Sequence, residues 1–171
     1  ISSISVYGLE KGLRITENHG LHGNSPYALS KIEAERLVKE WCHEYSIDYL
    51  ILRLPLIIGL DPPGNLGKMI NAMKKGLYVR IGKGLARKSI VHAEDVAWLI
   101  VSWLNSTKTI SGTFNLTDGQ HPSFFEIEES IKFDLKLKTI SSIPFWFAKF
   151  IALFGDIFSF VPTNSIVLNK I

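Results

Sequence analysis

A doubly wound parallel α/β sheet is the fold class this sequence predicts, and three observations predict it. Strand, helix and strand succeed one another in the first 54 residues: a short strand at Ile1–Tyr7, a helix opening at Ser25-Pro26, and a strand at Asp48–Leu54. The last of these, Asp-Tyr-Leu-Ile-Leu-Arg-Leu, is almost continuously apolar, as befits a strand buried on both faces. The alternation then returns, with Ser89–His92, a helix from about Ala93 to Leu104, and a strand at Thr113–Leu116. In such sheets ligands collect beyond the carboxyl ends of the strands, where Ser3 and Pro55 both fall.

The individual elements follow from local chemistry. Ser25 is a good N-cap and Pro26 suits the first helical position, so a helix begins here and runs through Leu29, Ile32, Leu37, Val38 and Trp41 to about His43–Ser46. The glycine-rich stretch before it, Leu9–Asn24, reads as loop, and Pro55 stops the second strand. Asp61-Pro62-Pro63-Gly64 is a turn cluster, after which Asn65 caps a helix through Leu66, Met69, Ile70 and Met73 that Gly76 ends. Tyr78–Ile81 is a short strand. Glu94 and Asp95 complement the dipole of the helix that starts near Ala93. Ser123 and Glu126 have capping-box spacing for a helix through Phe133, Leu137–Ile140 reads as a last strand, and helical segments follow Pro144.

Composition narrows the function classes. With 46% hydrophobic residues and a mean hydropathy of +0.16 the 171-residue chain is a folded domain, not a disordered one. The single cysteine, Cys42, excludes an internal disulfide framework and fits a reducing, cytoplasmic compartment. No basic-then-apolar leader opens the sequence. The most apolar tract, Ile143–Val161, contains Lys149 and Asp156, which argues for an amphipathic helix packed on the domain or a partner and against a membrane anchor. Net charge is +3, and Lys68, Lys74, Lys75, Arg80, Lys83, Arg87 and Lys88 crowd a window between Asp61 and Glu94 that holds no acid. A diphosphate, a nucleic acid or a solvated face are its possible meanings; with Tyr78 its only aromatic, stacking on bases is disfavoured.

The chemistry-bearing stretch is Ser25-Pro26-Tyr27-Ala28-Leu29-Ser30-Lys31 together with Ser2-Ser3-Ile4-Ser5-Val6-Tyr7-Gly8. Tyr27 and Lys31 lie one turn apart on one helix face. An ammonium group beside a phenol stabilises the phenolate, and a tyrosine so placed can exchange a proton with a substrate hydroxyl while a cofactor moves a hydride. Spacing alone is a weak signal: Tyr7 and Lys11 share it, with Gly8 making a helix there implausible. The capped helix start and the upstream serines favour the second copy.

Further residues extend the pattern: Leu52-Arg53-Leu54-Pro55 with Ile58-Gly59, Gly64-Asn65-Leu66, Ile81-Gly82-Lys83-Gly84, Ser89-Ile90-Val91-His92-Ala93-Glu94-Asp95-Val96-Ala97 and Phe114-Asn115-Leu116-Thr117-Asp118-Gly119. In this order they resemble the extended short-chain dehydrogenase/reductase family, in its NAD-dependent epimerase/dehydratase branch, and most closely the UDP-galactose 4-epimerase type. The resemblance implies the carboxyl-terminal part of a Rossmann-like doubly wound parallel sheet plus a small α/β substrate-binding domain. Residues 1–60 would be the second half of the Rossmann-like domain and 61–171 mainly the substrate-binding region, with 89–116 returning to the sheet. It further implies catalytic roles for Ser3, Tyr27 and Lys31, cofactor contacts at Tyr27, Lys31, Pro55 and Leu56, and substrate contacts at Ser5, Asn65, Leu66, Arg87 and Lys88. The cofactor is NAD, with NADP left open, and the substrate a nucleotide-diphosphate sugar. A homodimer formed through the Tyr27 helix is also implied, and Leu37 and Trp41 serve it or the core equally.

Two departures from the family pattern carry information. No glycine-rich dinucleotide fingerprint occurs in the sequence, so the amino-terminal NAD-binding half is absent and the chain on its own is expected to bind NAD poorly. The places just after Ser3 where the family's dehydratases carry an acidic pair hold Ile4 and Ser5, which leaves an epimerase or a reductase of a keto sugar or other carbonyl. A catalytically idle NAD-sensing scaffold is the reading of another class.

Overall fold

The computed structural model describes residues 1–9, 12–62, 64–107, 110–144 and 146. In chain order the elements are β1 (Ser2–Ser3), a 3-10 turn (Ile4–Tyr7), α1 (Pro26–Glu44), β2 (Leu50–Leu54), β3 (Leu56–Ile58), α2 (Gly64–Lys74), β4 (Val79–Ile81), β5 (Ile90–His92), α3 (Ala93–Leu104), β6 (Gly112–Asn115), α4 (Phe124–Asp134) and β7 (Ser141–Ile143). The named strands of the described residues pair in parallel, with helix α1 between β1 and β2 and α3 between β5 and β6. The predicted α/β class stands.

The chain divides into two compact units. The first comprises Ile1–Leu60 and Ser89–Gln120. Its three-stranded sheet has the order β1-β2-β6, with Ser3 opposite Leu54 and Arg53 opposite Asn115, so the carboxyl ends of all three strands coincide. Pro55 has no N–H to give a ladder, and there the chain changes partner: β2 ends and β3 pairs instead with β5. Sequence reading stopped the strand at Pro55 and did not anticipate this continuation. Leu52, Leu54, Val91 and Val96 form the core, packed by Leu50, Ile57, Leu99, Ile100, Phe114 and Leu116.

The helix caps match their sequence signals. Ser25 Oγ accepts from the Ala28 amide at 3.1 Å, and Pro26 occupies the first turn. His92 caps α3 through Nδ1, which accepts from the Glu94 amide at 3.3 Å. The expected strand over Ile1–Tyr7 is different: only Ser2 and Ser3 are extended, because the Ser3 side chain caps a 3-10 turn that bends the chain away. The buried side of α1 carries few of its apolar residues. Leu29, Leu37, Val38 and Trp41 are exposed, whereas Ala28, Glu35 and Cys42, spaced by seven, face inward. Trp98 is exposed, and half-buried Trp103 donates its indole N–H to the Ile110 carbonyl at 2.8 Å.

The second unit comprises Asp61–Lys88 and the chain from His121. β4 and β7 pair in parallel, and α4 begins with a complete Ser123/Glu126 capping box. The last strand is Ser141–Ile143, not Leu137–Ile140; α4 unwinds through a turn in which Lys136 takes a positive φ of 54°, which displaces the strand toward the carboxyl end. The helical segments expected after Pro144 lie, Trp146 apart, outside the described residues, as does Lys11. Among the described residues no helix is long and apolar enough to cross a membrane.

Candidate active site

Ser3, Ser5, Tyr27, Lys31, Pro55 and Leu56 all belong to the first unit. Ser3 closes β1; its Oγ accepts from the Ser5 amide at 3.2 Å and so starts the 3-10 turn. α1 packs against β1 and this turn, which sets its first turn beside the strand ends. Tyr27 stands in that first turn, 56% exposed, so its phenol is open to a ligand. Lys31 follows one turn later with Nζ 5.8 Å from the centre of the Tyr27 ring, and donates to the Ile1 carbonyl at 3.2 Å. Tyr27 and Lys31 are thus brought together as predicted. The Ser5 hydroxyl is buried and makes no hydrogen bond among the described residues. Pro55 follows the residue opposite Ser3, and the Leu56 amide is engaged by the Ser89 carbonyl at 3.3 Å, opening the β3–β5 ladder.

A buried polar network supports these elements. Arg53, 2% exposed near the carboxyl end of β2, donates Nε to Glu35 Oε1 at 2.9 Å and Nη2 to Oε2 at 2.6 Å. Its Nη1 reaches the Tyr7 hydroxyl at 2.9 Å and the Glu17 carbonyl at 3.1 Å. Ser2 Oγ donates to Glu35 Oε1 at 2.6 Å, and Tyr7 donates to Asn115 Oδ1 at 2.7 Å. Glu17 in turn accepts from the Asn115 amide at 2.7 Å, which with Arg53 holds its carboxyl below the usual range. Burial opposes ionisation of Glu35, yet hydrogen bonds from Arg53 and Ser2 and their charge environment outweigh it and leave this carboxyl lowered as well. Tyr7, whose spacing with Lys11 imitates that of Tyr27 and Lys31, is therefore a 3% exposed member of this scaffold.

None of Ser2, Glu17 and Glu35 was singled out from the sequence. One signal was available: an arginine inside an apolar strand cannot be left unpaired, so Arg53 required an acidic partner elsewhere.

The loop before α1 is fitted tightly to the turn. Gly23 donates its N–H to the Val6 carbonyl at 2.9 Å, and a Cβ at Gly23 would lie 2.6 Å from both the Ala28 Cβ and the Ser5 carbonyl oxygen. Gly23→Ala is expected to displace the start of α1 and to lower the melting temperature by several degrees in a thermal melt.

The second unit carries the remaining predicted residues. Asn65 is exposed in the first turn of α2 but does not cap it, since Gly64, at φ +74°, already opens the helix. The Leu66 side chain is buried, so only its backbone is offered to a ligand. Arg87 is exposed, with Nη1 donating to the His121 carbonyl at 2.8 Å and 3.9 Å from Glu126 Oε2. Lys88 is half-buried with Nζ 5.8 Å from the centre of the Phe124 ring. The basic window is less unbalanced than it reads: α4 brings Glu128 and Glu129 to Arg80, which also lies over the Phe125 ring at 4.5 Å. Burial and the Glu128 carboxylate raise the Tyr78 phenol well above its usual range, so it stays protonated and donates to Glu128.

Set against known proteins, residues 1–117 match the model of the NAD dependent epimerase/dehydratase family. The chain belongs to this family. A Methanocaldococcus jannaschii protein assigned as a UDP-glucose 4-epimerase is 32% identical over 137 residues, 77% of this chain and 44% of that protein. The UDP-glucose 4-epimerase of Vibrio cholerae is 27% identical over 164 residues, 92% of this chain and 48% of that enzyme. Among solved structures, UDP-glucuronic acid 4-epimerase from Bacillus cereus in complex with NAD superposes with a TM-score of 0.72 at 22% identity, over 84% of this chain and 48% of that one. At that identity the likeness shows the fold, which is Rossmann-like. The chain spans under half the length of the curated relatives it matches.

Proposed function

We propose that this family member serves as an NAD-dependent nucleotide-sugar 4-epimerase, in which Tyr27 exchanges a proton with the sugar C4 hydroxyl. The observation that carries the reading is the exposed Tyr27 phenol with the Lys31 ammonium 5.8 Å from its ring, on a helix packed against the strand end that bears Ser3. The first unit suits the nicotinamide and ribose end of NAD: an open phenol, an ammonium and the strand end at Pro55 lie where parallel sheets take ligands. The sequence contains no glycine-rich turn for the cofactor's diphosphate. When bound, NAD takes up a hydride from C4 and returns it.

The chain's own residues do the rest. Ser3 Oγ and the Tyr27 hydroxyl hydrogen-bond the C4 oxygen; as the hydride leaves, Tyr27 accepts the hydroxyl proton and a 4-keto sugar results. The Lys31 ammonium offsets negative charge on the phenolate and binds ribose hydroxyls. After the keto sugar presents its other face, hydride return to that face of C4 would invert the centre, and Tyr27 gives the proton back to the C4 oxygen. The buried Ser5 hydroxyl is assigned to a sugar hydroxyl. In the second unit, the exposed Arg87 and Asn65, the half-buried Lys88 and the Leu66 backbone are assigned to the nucleotide diphosphate. The apolar outer face of α1, with Leu37, Trp41 and Tyr45 exposed, supports the homodimer reading, and Trp41→Glu is expected to shift full-length protein from dimer to monomer in analytical ultracentrifugation.

The test is to incubate the full-length protein and its Tyr27→Phe variant with NAD and UDP-glucose or UDP-galactose, and to follow interconversion by chromatography. Interconversion that collapses in the variant supports the epimerase. Consumption of NADH or NADPH with a keto sugar, without interconversion, moves the assignment to a reductase; cofactor binding with neither reaction moves it to an idle scaffold.

A further inference from the structure

Ser2 and Ser3 are adjacent, and strand alternation sends their side chains to opposite sides of β1. Ser3 takes up the capping position at the strand end, while Ser2, 5% exposed, turns to the helix side and donates to Glu35 Oε1 at 2.6 Å. Glu35 lies on the same helix as Tyr27 and Lys31, eight and four residues beyond them, which is about two turns and one turn. The same carboxylate is held in bidentate fashion by Arg53, the residue that precedes Leu54, and Leu54 stands opposite Ser3. One buried carboxylate therefore ties together the three segments that present Ser3, Pro55 and the Tyr27–Lys31 pair. Around it the lysine of the next turn, Lys39, approaches Oε2 at 3.7 Å, and no acid lies close enough to compete among the described contacts.

This is more linkage than holding a helix on a sheet requires. The Lys31 hydrogen bond to the Ile1 carbonyl also ties α1 to the start of β1, and Arg53 by itself gives the Glu35 carboxylate two donors. The additional Ser2 bond is directed at the residue next to Ser3, and its effect is to set the spacing between the strand end and the first turns of α1.

We propose that Ser2 and Glu35 are positioning residues for the hydrogen bond of Ser3 and the proton transfer of Tyr27: the buried Ser2–Glu35 hydrogen bond fixes the distance between the strand that carries Ser3 and the helix that carries Tyr27 and Lys31. The proposal rests on the epimerase reading above. Ser2→Ala removes the bond and leaves the Arg53–Glu35 pair; Glu35→Asp keeps the charge and draws the carboxylate back by one methylene. In the full-length protein with NAD and UDP-glucose, both variants are expected to lower kcat by about 10- to 100-fold with KM changed less than threefold, because misplacement by a fraction of an ångström acts on the chemical step. Ser2→Ala is expected to cost only about 2–4 °C of melting temperature. In a Tyr27→Phe background, Ser2→Ala is expected to change the residual rate less than twofold, since the group it positions is gone.

A structural role alone predicts the reverse: a lower melting temperature, kcat per folded molecule within twofold of wild type, and the same effect with or without Tyr27. That result, alongside a Tyr27→Phe variant that does collapse, overturns the positioning role and leaves the epimerase reading in place. A wild-type protein with no turnover overturns both.

Discussion

Tyr27→Phe is expected to reduce nucleotide-sugar turnover by about 10²–10⁴-fold, the range that a positioned general acid–base supplies. The substitution removes one hydroxyl from a residue that is more than half exposed, so the melting temperature should stay within about a degree of wild type. On the proposed mechanism KM should change little, because the phenol is assigned to the C4 proton and other residues to the diphosphate. Single-turnover formation of NADH from bound NAD checks the step directly: it should slow by the same factor as steady-state interconversion. A variant that keeps wild-type kcat would remove Tyr27 from the chemistry, whatever the family membership of the chain.

The second large effect concerns stability. Arg53→Met leaves the Glu35 carboxylate 3% exposed with its bidentate partner gone, and breaking a buried pair in this way costs about 3–5 kcal/mol. That is a large part of the 5–15 kcal/mol that holds a typical domain, so a urea midpoint far below wild type is expected at pH 7. The pH dependence has a definite sign. Glu35 is lowered in the folded chain, so its contribution is fully present above the unfolded carboxylate value of about 4.3 and is lost as pH falls through the folded value. Without Arg53, burial dominates and raises the carboxyl; the acid-unfolding midpoint should then move to higher pH. Glu35→Met combined with Arg53→Met should recover part of the loss, since two apolar side chains are better tolerated there than one unpaired charge. Recovery is incomplete because Ser2 loses its acceptor and the Glu17 carbonyl loses a donor.

Much of the site was legible in the sequence because it is local. A cap at Ser25, a proline at the first helical position and a Tyr-Lys pair four residues apart need nothing beyond one helix, and the helix formed where they placed it. The Ser123/Glu126 box and the apolar run of β2 are of the same kind. Where the reading failed, the deciding partner was distant in sequence. Leu37 and Trp41 of α1 were left open between a partner and the core; both are exposed, and the inward stripe carries Glu35 because Arg53, 18 residues away, demands a carboxylate there. Tyr7 looked like a decoy for catalysis; its partners Arg53 and Asn115 lie 46 and 108 residues away.

What the sequence determined by itself was therefore the order of the elements, their caps and the identity of the groups offered for chemistry, since each depends on residues within one or two helical turns. The tertiary structure alone decided which face of α1 is buried, that the chain changes strand partner at Pro55, and that one carboxylate joins Ser2, Arg53 and the helix of Tyr27. A buried charge must be paired wherever its partner lies in the chain, and only folding brings the partners within hydrogen-bond distance.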